Sequence, residues 1–190
     1  MPAIVRIHTD GACSGNQNEE NIGGWGAVLE YDAATPGGDP AHYEKVLWGG
    51  ELNTTNNRME MTALLAAFRA LKKPNLTIEV FCDSAYLMDC FREKWYANWL
   101  TNGWKTKSKK TVENRDLWEA LLPFIDEHEI RFFRVKGHVN LDHPATNIDK
   151  HFEKFIEWNG PKFTYEDFEH ATRMNNRADA LANKGMDELR

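Results

Sequence analysis

Ala3-Ile4-Val5-Arg6-Ile7-His8-Thr9-Asp10-Gly11 is an apolar-rich run that meets an Asp-Gly pair. Ile and Val suit a pleated, half-buried strand, and Asp-Gly is turn chemistry, so residues 3–9 read as a first strand. Working outward, residues 22–31, opening on Gly23-Gly24-Trp25-Gly26, and residues 43–52 read as two more. The cluster Thr35-Pro36-Gly37-Gly38-Asp39-Pro40 between them is a turn, so these two strands are expected to pair antiparallel. Met61, Leu64, Leu65, Phe68 and Leu71 recur at helical spacing over residues 56–73, and Pro74 closes that helix. Residues 76–82 form a fourth strand ending at Asp83, and a helical stretch starts at Ser84. Residues 114–128 read as a helix with Leu117, Trp118, Leu121, Leu122 and Ile125 on one face, and residues 130–136 as a fifth strand. A last helix runs from Asn176 past Ala182. This order indicates an α/β (α+β) fold, a five-stranded mixed sheet flanked by helices, in one domain of 190 residues.

The composition, 42% hydrophobic and 27% charged, is that of an ordinary globular chain. Three cysteines, Cys13, Cys82 and Cys90, are too few and scattered for a disulfide framework. Met1-Pro2-Ala3-Ile4-Val5-Arg6 has no signal-peptide pattern, and no run approaches the ~18 apolar residues of a membrane span. A cytoplasmic monomer with no membrane partner is expected. The net charge of −6 argues at first against a nucleic-acid partner, but its distribution matters more. Between Arg92 and Arg115, seven basic residues (Arg92, Lys94, Lys105, Lys107, Lys109, Lys110, Arg115) face two acids, Glu93 and Glu113. An acidic body with one basic arm suits a protein that touches phosphates at one place.

Asp10 and Asp83 stand at the carboxyl ends of apolar strands, where a buried acid needs a neutralising partner. Glu60 lies one turn into a helix beside Asn56, Asn57 and Arg58, and Asp179 sits among Ala178, Ala180, Leu181 and Ala182. Carboxylate oxygens are the natural ligands of hard cations such as Mg²⁺. Two such ions roughly 3.5–4 Å apart activate water and stabilise the leaving oxygen of a phosphodiester. Each acid alone, among 29, reads equally as a helix cap, a turn residue or a solvated charge, and spacing does not assemble the four.

Resemblance does. Thr9-Asp10-Gly11-Ala12-Cys13-Ser14-Gly15-Asn16 with Gly23-Gly24-Trp25-Gly26-Ala27-Val28-Leu29 resembles the opening of type 1 ribonucleases H, and so does Thr55-Asn56-Asn57-Arg58-Met59-Glu60. Asp83-Ser84, the Trp95, Trp99, Gly103-Trp104-Lys105-Thr106 arm, Asn114-Arg115-Asp116-Leu117-Trp118, Val135-Lys136-Gly137-His138 and Asn176-Arg177-Ala178-Asp179-Ala180-Leu181-Ala182 follow in family order. The resemblance implies a ribonuclease H-like fold and a metal-dependent endonuclease that cuts the RNA strand of RNA–DNA hybrids, leaving 5′-phosphate and 3′-hydroxyl ends. By that resemblance Asp10, Glu60, Asp83 and Asp179 hold two Mg²⁺ or Mn²⁺ ions, and His138 assists proton transfer or product release. Cys13, Ser14, Asn16, Asn56 and Asn57 match minor-groove contacts, where the 2′-hydroxyl marks the RNA strand. Thr55 and Asn114 match a pocket for a DNA-strand phosphate. Trp95, Lys105, Lys107, Lys109 and Lys110 match the family's basic protrusion, whose lysines give affinity without sequence information. Asparagine also serves turns and caps well, and the tryptophans also suit packing inside the arm, with at least two of Trp95, Trp99 and Trp104 expected there.

Two departures stand out. Ala85 follows Asp83-Ser84 where many relatives carry an amide side chain. The 41 positions from His138 to Asp179 replace a much shorter loop with an insertion over residues 139–175. Within it Ile148, Phe152, Phe155 and Ile156 predict an amphipathic helix stopped by Asn159-Gly160-Pro161, with a shorter helical piece over residues 165–172. Its apolar face is expected to pack on the body; contact with substrate or a partner protein is the alternative. Two further readings of the whole are a hybrid-binding module without catalysis and a detached reverse-transcriptase nuclease domain.

Overall fold

A computed structural model describes residues 4–15, 20–33 and 36–190. Strands β1 (Ile4–Ser14), β2 (Ile22–Ala33) and β3 (Ala41–Leu52) form an antiparallel meander. Strands β4 (Thr77–Cys82) and β5 (Glu129–Arg134) add in parallel on the other side of β1, giving the order β3-β2-β1-β4-β5. This is the expected five-stranded mixed sheet. The helices are α1 (Asn56–Arg69), α2 (Ala85–Arg92), α3 (Trp95–Asn102), α4 (Arg115–Glu127), α5 (Ile148–Asn159) and α6 (Tyr165–Asp187). None is long and apolar enough to cross a membrane.

Period-2 alternation sorts the sheet's side chains into two layers. Val5, Ile7, Leu29, Ile78 and Val80 face a core completed by Leu64 and Phe68 of α1 and by Trp118 and Leu121 of α4. On the opposite face Phe81, Phe133 and Val135 meet Phe155 of α5 and Phe168 and Ala171 of α6. The segment after His138 therefore builds a second core, and its apolar face packs on the body as expected. Farther along, α6 lies directly on β2. A side chain at Gly26 would collide with the Ala178 carbonyl, so the glycine permits helix-on-strand contact beside Asp179.

Several boundaries differ from the sequence reading: α1 ends at Arg69, capped at Ala70, well before Pro74, and β5 ends at Arg134 rather than at residue 136. β1 does not stop at Thr9: its antiparallel ladder with β2 continues to Ser14, while its parallel ladder with β4 ends at His8. The stretch after Ser84 is two helices, broken where Lys94 takes a left-handed φ of 54°. The short piece over 165–172 and the last helix are one 23-residue helix. Thr164 opens it with a full capping box to Asp167, satisfying amide groups at its N-terminus.

Candidate active site

Asp10 lies within β1, just past the last β1–β4 pair, and Asp83 lies just past the end of β4. That ladder stops at His8 and Phe81, so both acids lie just beyond its last pair. Ser84 then caps α2, its hydroxyl accepting from the Leu87 amide at 3.2 Å, which fixes the backbone beside Asp83. Glu60 arrives from α1 on the other side. A side chain at Gly11 would collide with the Glu60 amide, so glycine beside Asp10 admits the helix.

Carboxylate oxygens of Asp10, Glu60 and Asp83 all lie within 4.8 Å of one another. Asp10 is 4% exposed and Glu60 8%, so two of the three are taken from water. Asp179, on α6, lies outside that group of three but near enough to Asp10 to raise its carboxyl. His138, 77% exposed and at φ 59°, places Nδ1 3.9 Å from Asp179 Oδ2. The fold thus gathers the four acids and the histidine that the sequence had spread over 170 positions.

Burial, the Asp83 charge, the Asp179 side chain and the Glu60 charge push the Asp10 carboxyl up to about 9. Burial and the Asp83 charge push Glu60 up to about 8, against a hydrogen bond from Ser84. Without a cation, such a cluster keeps protons at neutral pH because like charges at this range disfavour joint ionisation. An all-oxygen donor set of this kind fits hard divalent cations, which replace those protons.

The residues expected to meet substrate form a surface running away from the acids. Thr55 caps α1 by accepting from the Arg58 amide at 3.1 Å, and Asn56 and Asn57 are exposed in the first turn. Asn114 sits at φ 59° before α4 and accepts from Arg58 Nη1 at 3.4 Å. Ser14 Oγ accepts from Arg190 Nη2 at 3.3 Å. Cys13 Sγ is directed at the Thr54 carbonyl, 3.6 Å away, a contact that ties β1 to the approach of α1. Asn16 lies outside the described residues. Lys105, Lys107, Lys109 and Lys110 are exposed, and among the described residues only Lys105 of the four shows a side-chain bond, to Thr111 Oγ1 at 3.3 Å. Trp99 is buried against both Trp118 and the buried Trp104, while half-buried Trp95 donates to Glu93 at 2.6 Å.

Arg58 is a residue the sequence reading left without a role. It grips Asp116 with two bonds of 3.0 and 2.7 Å, locking the start of α1 to the start of α4 and setting Asn114 relative to Thr55. Its place inside the Asn56-Asn57-Arg58 run was the available signal. Arg92, counted above as part of the basic arm, is committed elsewhere. It donates to the carbonyls of Phe132 and Trp158 and to Asn159 Oδ1, at 2.9–3.1 Å, tethering α5 to β5. Arg115 is held by Glu119 at 2.6 Å, so the lysines are the arm's available cations.

The ribonuclease H family model matches residues 2–154. A ribonuclease H of Chlorobium phaeovibrioides is 46% identical over 147 residues, 77% of this chain and 90% of that one. A ribonuclease H of Cupriavidus pinatubonensis is 42% identical over 185 residues, 97% of each chain, and so spans the region of α5 and α6 too. Among solved structures, LC9-RNase H1, a type 1 RNase H with the type 2 active-site motif, superposes with a TM-score of 0.69 at 28% identity, over 99% of this chain and 74% of that one. The foamy viral protease-reverse transcriptase in complex with an RNA/DNA hybrid shares the fold, at TM-score 0.57 and 17% identity, over 96% of this chain and 20% of that one.

Proposed function

This chain belongs to the type 1 ribonuclease H family, and from that premise we propose that Asp10, Glu60, Asp83 and Asp179 bind two Mg²⁺ ions, with Mn²⁺ as a substitute, to hydrolyse the RNA strand of RNA–DNA hybrids. The observation that carries the reading is the approach of the Asp10, Glu60 and Asp83 oxygens within 4.8 Å, with Asp179 near enough to raise the Asp10 carboxyl. The four acids would hold the cations, which would supply an activated water and charge stabilisation for the leaving oxygen, a chemistry that would leave 5′-phosphate and 3′-hydroxyl ends. Asp10 and Glu60, both raised by burial, would have to lose their protons to hold cations, and their burial keeps bulk water from screening the site. His138, exposed beside Asp179, moves a proton between the reacting phosphate and solvent. Ser14, Asn56 and Asn57 with Cys13 line the groove contact, to which Asn16 is assigned by the family resemblance alone, while Thr55 and Asn114, set by Arg58, hold a DNA-strand phosphate. Trp95 and the four lysines from Lys105 to Lys110 carry the hybrid's backbone. The chain acts as a monomer and a single domain, with its basic protrusion at residues 92–115 and its insertion at residues 139–175.

A uniform hybrid, incubated with the protein and Mg²⁺ or Mn²⁺, is expected to be cut endonucleolytically while double-stranded DNA is spared. Asp10→Asn is expected to fold and to lose cleavage. Full activity in that variant refutes the assignment, and tight hybrid binding without cleavage across metals replaces it with a binding module.

A further inference from the structure

A second group of ligand atoms lies on the α6 face of the sheet, two residues along β1 from Asp10. His8 on β1, Glu30 on β2 and His170 on α6 bring Nε2, Oε1 and Nε2 within 4.8 Å of one another. Glu30 Oε1 lies 3.3 Å from His8 Nε2 and 2.6 Å from His170 Nε2. His42 Nε2 stands 3.6 Å from the other carboxylate oxygen, held there by Asp32 and Glu44.

Both His8 and Glu30 are 1% exposed. Glu30 Oε2 is buried with no hydrogen-bond partner among the described residues, and so is His8 Nδ1. Native structures rarely leave buried polar atoms unmet, so the group's bonding capacity exceeds what the protein supplies. The group forms one wall of a cleft of about 530 Å³. Five carboxylates, Glu30 and Asp32 among them, line that cleft against two cations, Arg6 and Lys162, so its field favours a cation.

We propose that His8, Glu30 and His170 form a binding site for a borderline divalent transition metal, represented by Zn²⁺, separate from the four acids of the active site. Two imidazoles and one carboxylate are a zinc ligand set that leaves a fourth position to solvent. At metal–ligand distances of 2.0–2.1 Å, tetrahedral ligands sit about 3.3 Å apart. The His8–Glu30 pair already has that separation. The shorter His170–Glu30 contact opens to it by a small movement of His170, whose side chain is 50% exposed. Imidazole selects Zn²⁺ over Mg²⁺, whereas the all-carboxylate cluster suits Mg²⁺, so the two sites differ in metal preference. An ion here fastens α6 to β1 and β2. It does so two residues from Asp10 and nine from Asp179.

The test uses the full chain stripped with EDTA, then dialysed against Zn²⁺ with Mg²⁺ in large excess to occupy the carboxylates. Zinc per chain is measured, and the dissociation constant follows from competition with a chromophoric chelator. Wild type and Asp10→Asn are expected to retain one Zn²⁺ per chain with equal affinity. His170→Ala is expected to bind at least tenfold more weakly. His170→Gln keeps a donor for Glu30 but loses the imidazole, so it is expected to fold and to be weakened to the same degree. Zinc lost in Asp10→Asn assigns the ion to the active site and overturns the proposal. Unchanged affinity in His170→Gln, or no zinc retained by wild type, also overturns it and leaves a hydrogen-bonded network.

Discussion

Replacing Asp10 by Asn is expected to stabilise the metal-free protein while abolishing cleavage. The Asp10 carboxyl has an ordinary value of 3.8 and is pushed up to about 9 in the folded chain, first by burial and then by the Asp83 charge. Folding without metal therefore takes up a proton at neutral pH. A raised carboxyl favours the folded form fully at low pH, and this advantage drains as pH rises from about 4 to about 9. At pH 7 the cost is up to about 4 kcal/mol, at about 1.36 kcal/mol per pH unit. Four acids share the protons, so one substitution recovers a fraction, about 1–3 kcal/mol. Asparagine keeps the local bonds: its oxygen accepts from the Gly11 amide, 2.9 Å away in wild type, and its amide donates toward Asp179. Thermal unfolding in EDTA at pH 7 is thus expected to show a rise of about 3–10 °C for Asp10→Asn. The gain is expected to be larger at pH 8 than at pH 5. Mg²⁺ is expected to raise the wild-type melting point and narrow the difference, since a ligand that binds only the folded form stabilises it by mass action. A variant that melts below wild type in EDTA, or a difference independent of pH, refutes the derivation from burial and repulsion.

Metal uptake must displace protons from Asp10 and Glu60, so half-saturating Mg²⁺ in hybrid cleavage is expected to fall steadily as pH is raised from about 6 to about 9. A flat profile counts against protonated acids in the metal-free site. In Gly137→Ala the new methyl collides with the Asp83 carboxylate, and a displacement near 1 Å at a reacting site costs about 100-fold in rate. Cleavage kinetics beside a melting curve separate this from unfolding. Arg58→Ala breaks the Asp116 pair, which is partly exposed and contributes under about 1 kcal/mol of stability. Its main effect is expected in KM for the hybrid, about fivefold upward with kcat kept, because Asn114 loses its anchor. Neutralising Lys105, Lys107, Lys109 and Lys110 together is expected to weaken hybrid binding without moving the melting point. The salt dependence of binding should then shrink by about one unit of slope for each lysine on a phosphate.

The sheet was legible because five strands carried apolar runs with clear punctuation. Asp10-Gly11 misled at one point. It marks the end of pairing with β4, and the same strand goes on pairing with β2. No local pattern distinguishes a strand that loses one neighbour from a strand that ends. The carboxylates were individually visible, yet their meeting was not. It depends on β1 and β4 becoming neighbours across 70 residues and on α1 docking against Gly11, both tertiary facts. Arg92 shows the converse failure. It reads as one more cation of a basic arm, and three acceptors on β5 and α5 turn it into a tether.

The segment after His138 changes what holds Asp179 in place. Its start is bound to α6: Asn176 Nδ2 donates to the Val139 carbonyl at 2.8 Å, and Arg173 grips Asp142 with two bonds of 3.1 Å. The first half of α6 is anchored separately, through Phe168 and Ala171 in the second core. A continuous helix transmits position rigidly along its axis, at about 1.5 Å per residue. Asp179 therefore inherits its place from two supports, the second core upstream and the Gly26 contact at Ala178. The loop carrying His138 is fastened to the same helix one residue later, at Val139. His138 and Asp179 thus answer to one rigid body, while Asp10 and Asp83 answer to the sheet and Glu60 to α1. What the insertion adds is a fixed relation between the histidine and the acid beside it, at the margin of a site whose other acids are set without it.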